Sequence, residues 1–75
     1  MTAESNAIVT QWLADILSAV GSGTNKIIND LNDGNNNRVV IVRHSGGNLY
    51  ALYITQANAG YQSDASGNPA PLAAV

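Results

Sequence analysis

The densest collection of oxygen ligands in the chain is the stretch NDLNDGNNNR, residues 29–38, with two carboxylates, five carboxamides and one glycine. A calcium loop needs Asp or Asn at positions one, three and five, glycine at six and a bidentate acid at twelve. Counting from Asp30 puts Asn32 correctly at three, but Gly34 falls at five, Asn35 at six and Ile41 at twelve. The glycine comes one place early and the closing acid is missing. The stretch reads instead as a helix end, with Gly34 as the terminating glycine and Asn35, Asn36 and Asn37 as a polar connection. No metal site is expected.

Acid–base chemistry is the next possibility. His44 is the one histidine, which removes zinc geometries built on two histidines. Ser45 and Asp64 would complete a nucleophile–base–acid set with it, but nothing in the spacing selects them. His44 lies beside a turn and next to Arg43, where a solvated side chain is the simpler reading. With no cysteine, disulfides, thiolate metal sites and thiol catalysis are also removed. The glycine pairs "GSG" and "SGGN" match no phosphate-cradling motif, since the first follows a helix and the second joins two strands. We expect no catalytic residue, no cofactor and no enzymatic activity.

Charge narrows the partners. Lys26, Arg38 and Arg43 stand against Glu4, Asp15, Asp30, Asp33 and Asp64, a net charge of −2. Three cations are too few to neutralise a run of phosphates, so nucleic acid and anionic membrane surfaces are poor partners. Charged residues make up 11% of the chain, against about 25% in a typical soluble domain. Hydrophobic content is ordinary at 45%, so the chain has apolar surface to bury and little charge to keep copies apart. No signal peptide is read, Glu4 standing where a basic start is wanted. No apolar run is long enough to span a bilayer. The expected location is the cytoplasm, or a particle or appendage reached by a non-classical route.

The elements that would position these residues are short. Residues 5–20 read as a helix, with Ser5 or Asn6 as cap. Ile8, Val9, Trp12, Leu13, Ile16, Leu17 and Val20 recur at threes and fours as an apolar stripe. "GSG" ends it, and Thr24 is placed to cap a second helix over 25–33, giving a helical hairpin. Residues 38–44 and 49–56, rich in β-branched and aromatic side chains, read as a β-hairpin turning at Gly46-Gly47. That turn pairs Arg43 with Tyr50, Ile41 with Leu52 and Val39 with Ile54, leaving Val42 opposite Ala51 and Val40 opposite Tyr53. Residues 57–75, rich in Ala, Gly, Ser and Asn, form an extended or partner-docked tail, with Leu72 and Val75 as its large apolar anchors. The predicted fold is one small α+β domain.

A hairpin covered on one side should alternate apolar and polar residues. This one is apolar on both. The helices cover one face, which leaves the set Val40, Val42, Leu49, Ala51 and Tyr53 as the expected contact with another molecule. The function expected is therefore a structural subunit that assembles with copies of itself. The alternative partner is one larger protein, which the chain would bind as an inhibitor or adaptor through the same face.

Overall fold

The computed structural model describes residues 3–33, 37–55 and 58–72. Gly34 to Asn36, Gln56 and Val75, which figure in the expectations above, lie outside the described residues. The architecture is α+β: helix α1 (Ala3–Val20) followed by strands β1 (Asn25–Asn32), β2 (Arg38–His44), β3 (Leu49–Ile54) and β4 (Ala59–Tyr61). The four strands form one antiparallel meander in the order β1-β2-β3-β4.

The expected helical hairpin is corrected to a single helix. Residues 25–32 are extended and pair with β2 along its length, from Asn25 opposite His44 to Asn32 opposite Arg38. The register slips between Ile27 and Asn29, so Ile28 is an extra, bulged residue. A helix of nine residues has almost no stability of its own. The same segment used as a strand satisfies the free edge of β2, and that gain decides its conformation. Thr24 caps nothing. Its N–H donates to Ser45 Oγ at 3.0 Å and its carbonyl accepts from Ser45 N at 2.8 Å.

The β2–β3 hairpin is present, but its register differs by one residue from the expected one. Gly47 N donates to His44 O at 2.8 Å and His44 N to Asn48 O at 2.9 Å, closing a three-residue loop of Ser45, Gly46 and Gly47. Gly47 takes the left-handed conformation such a loop demands, at φ +101°. Val40 therefore faces Leu52, Ile41 faces Ala51 and Val42 faces Tyr50. A slip of one residue re-pairs every position.

The core lies between α1 and one face of this sheet. Val9, Trp12 and Ile16 of the helix meet Val40, Val42, Tyr50, Leu52 and Ile54. The helix stripe is narrower than the sequence suggests, because Ile8, Leu17 and Val20 stay exposed. Its start is also earlier: Ser5 and Asn6 sit inside α1 rather than capping it. The tail is folded back rather than extended. Beyond β4, Ser63 pairs with Pro69 around a turn in which Asp64 Oδ1 accepts from Ser66 N at 2.8 Å and Asn68 N at 3.0 Å. Leu72 N then reaches Leu49 O at 2.8 Å, beside the start of β3.

Candidate functional site

The polar residues that sequence analysis singles out serve as fasteners between elements. Arg38 lays its guanidinium fork on Asp30, with Nε to Oδ1 at 2.8 Å and Nη2 to Oδ2 at 2.7 Å. Its remaining nitrogen, Nη1, donates to Asn6 Oδ1 at 2.8 Å and Ser5 Oγ at 3.3 Å. One side chain thus ties the first turns of α1 to β1 and β2. The bond from Arg38 holds the Asp30 carboxyl below the usual carboxylate range, against a smaller opposing effect of burial. Asp33 accepts from Asn37 N at 3.3 Å and from Asn37 Nδ2 at 2.8 Å, closing the β1–β2 hairpin. The two acids that suggested calcium are therefore engaged separately, one in an ion pair and one in a turn.

His44 is buried, not solvated at a turn. Its Nδ1 lies 2.9 Å from Asn25 Oδ1, while Asn25 Nδ2 donates to the Leu13 carbonyl at 3.1 Å. A carbonyl can only accept, so the amide nitrogen of Asn25 must face Leu13 and its oxygen must face His44. The proton therefore sits on Nδ1. This chain links helix, β1 and β2. Ser45 is taken by Thr24, and Asp64 by its own turn. These residues do not converge as a nucleophile, base and acid. Trp12 is in the core as expected, and its Nε1 is buried without a hydrogen-bond partner.

The other face of the sheet carries no helix among the described residues. Paired residues of an antiparallel sheet point the same way, and neighbours along a strand alternate. Val40, Val42 and His44 face α1, so Val39, Ile41 and Arg43 face away, together with Leu49, Ala51 and Tyr53 of β3. On β1, Leu31 faces away opposite Val39, and Lys26 opposite Arg43. Of the five residues expected to make the contact, Val40 and Val42 are 0% exposed beneath α1. Ala51 points to the outer side but is itself buried at 4% exposed, so of the five Leu49, half-buried, and Tyr53, 53% exposed, reach the outer surface. The residues that sequence reasoning left out of this face are Leu31, Val39 and Ile41. A readable signal for Val39 and Ile41 existed in "HSGGN", whose second glycine suits the left-handed position of a three-residue loop.

The outer face has a hollow at each end. One, of about 370 Å³, is lined by Leu31, Val39, Tyr53 and Asp33 among others. The second, of about 250 Å³, is lined by Lys26, Ile28, Arg43 and the His44–Gly47 turn. Between them lie Ile41 and Ala51, directly paired. Charged side chains stand at both ends, Asp33 and Arg38 at the first hollow and Lys26 and Arg43 at the second. Among the described residues no helix is long and apolar enough to cross a membrane. Comparison of the chain with family models, curated proteins and solved structures found no match.

Proposed function

We propose that this chain is a non-enzymatic structural subunit that assembles with copies of itself through the sheet face turned away from α1. The observation that carries the reading is the exposure of large apolar side chains on that face. Leu31 is 58% and Tyr53 53% exposed, beside half-buried Val39, Ile41 and Leu49. Single exposed apolar residues are ordinary, but a contiguous patch across three strands marks an interaction surface. Among the described residues one helix covers the sheet, and it lies on the opposite side. A second copy supplies a surface of the same width and chemistry.

Size sets the strength. Three strands about 4.8 Å apart, of about seven residues rising about 3.4 Å each, make this face on the order of 350 Å² per copy. That is below the size of stable specific interfaces, so association is micromolar or weaker. The test is an amide spectrum recorded while the protein is diluted from millimolar to micromolar concentration. Val39, Ile41, Leu49 and Tyr53 shift on dilution, whereas Val9, Ile16 and other residues of α1 hold still. Dilution that moves no signal, or moves those of α1 alone, overturns the reading and leaves the face to a larger protein partner.

A further inference from the structure

We infer that the hollow at the Gly47 end of the sheet is a site for one phosphate group, free or carried on a small molecule, held between Lys26 and Arg43. The two are direct cross-strand partners on the face turned away from α1, and both are exposed. Side chains in that relation start about 5 Å apart and point the same way. Their charges sit at the ends of long stems, so both can close on one oxyanion. Like charges set directly opposite each other are destabilising, and an anion between them turns that repulsion into attraction. Among the described residues no carboxylate takes this place. The salt bridge is Arg38 to Asp30, while Asp33 is bonded by Asn37, Asp15 by Gln11 and Asp64 by its own turn. The described residues that line the hollow include no acid.

The rest of the hollow suits the same ligand. Thr24 and Ser45 bring hydroxyl groups to its wall. Ser45 Oγ accepts from Thr24 N at 3.0 Å and Ser45 N donates to Thr24 O at 2.8 Å, which ties the loop after α1 to the hairpin turn and holds the serine in place. A hydroxyl used as an acceptor keeps its own proton to donate. Ile28, the bulged residue of β1, lines the hollow beside these polar groups. Bulges re-aim side chains next to functional sites, and here the bulge supplies an apolar wall for the carbon skeleton of an ester. At about 250 Å³ the hollow is smaller than the roughly 300–1,000 Å³ of sites that enclose a drug-sized ligand. Two cations match one phosphate dianion, not the run of phosphates in a nucleic acid. Binding is a property of the single chain and does not depend on its assembly.

The test is an amide titration of the full chain with inorganic phosphate at neutral pH, set against sodium chloride at matched ionic strength. Phosphate should shift the signals of Lys26, Arg43, Ser45 and Gly47 along a saturating curve. Chloride should move them little, and Tyr53, at the other end of the face, should respond to neither. Lys26→Gln and Arg43→Gln should each weaken binding by about fivefold or more, the loss of one charge-assisted contact. Each variant removes one of two opposed like charges, so its melting temperature without phosphate should equal or exceed that of the wild type, which separates lost binding from lost folding. A parallel titration with phenyl phosphate distinguishes the sources. Binding tighter than inorganic phosphate marks an ester with its carbon against Ile28, and equal or weaker binding marks the free anion. Shifts that chloride reproduces at equal ionic strength, or that persist undiminished in both variants, overturn the site.

Discussion

Arg38 and Gly23 show how single residues fix the layout. The Arg38–Asp30 pair is bidentate and partly buried, the geometry in which an ion pair contributes to stability rather than decorating a surface. Because Asp30 titrates lower in the folded chain than in the unfolded one, its contribution is complete above the unfolded value, about 3.9, and is lost as pH falls through the folded one. Thermal melts of the wild type and Asp30→Asn should therefore differ at pH 7 and converge as the pH drops below about 4. A constant offset across that range would contradict the assignment. Gly23 sits at φ +92°, and a Cβ there would overlap Ser45 Oγ and His44 Nε2. Gly21, at φ +87°, has open space around the same position. Both should lose about 1 kcal/mol as alanine from the left-handed backbone alone. Only Gly23→Ala should add a steric cost, for a total of roughly 2–3 kcal/mol in denaturant unfolding, and equal losses would refute the close packing of that loop on His44.

At the level of elements, α1 and the β2–β3 hairpin were legible because their apolar spacing is regular and their ends carry glycine. β1 was not. Its bulge at Ile28 places three steps between Ile27, opposite Val42, and Asp30, opposite Val40, and that spacing imitates a helix. Apart from Ile27 its inward positions are also polar, with Asn25 serving His44 and Asp30 serving Arg38, so no apolar alternation announces a strand. These partners lie 19 and 8 residues away along the chain, beyond the reach of local pattern. The outer face was partly readable: an apolar second side was foreseen, and Leu49, Ala51 and Tyr53 lie on it, but the loop at Gly47 shifts the β2 residues on it to Val39 and Ile41. The register has a direct test in adjacent substitutions. Val40→Lys should place a charge in the core and remove most of the roughly 4–11 kcal/mol available to a chain of this length. Ile41→Lys should fold with a loss of about 1 kcal/mol or less and weaken association. Thermal melts showing the reverse order would restore the register in which Val40 and Tyr53 are paired.

The whole molecule is a sheet with two apolar faces and a helix for one of them. Val9, Trp12 and Ile16 complete the inner side, and the tail turns back to bond Leu49 at the start of β3. Burial in so short a chain is limited, and small domains commonly gain the remainder from a partner subunit. Three cations and five acids do little to hold copies apart, and among the described residues the one salt bridge is Arg38 to Asp30. In the proposed assembly the exposed apolar area of the outer face would supply the attraction. The most direct measurement is the solution mass by sedimentation equilibrium across micromolar to millimolar concentrations at low salt. We predict a mass that climbs from 7.8 kDa toward twice that value as concentration rises. A mass fixed at 7.8 kDa throughout would contradict the account.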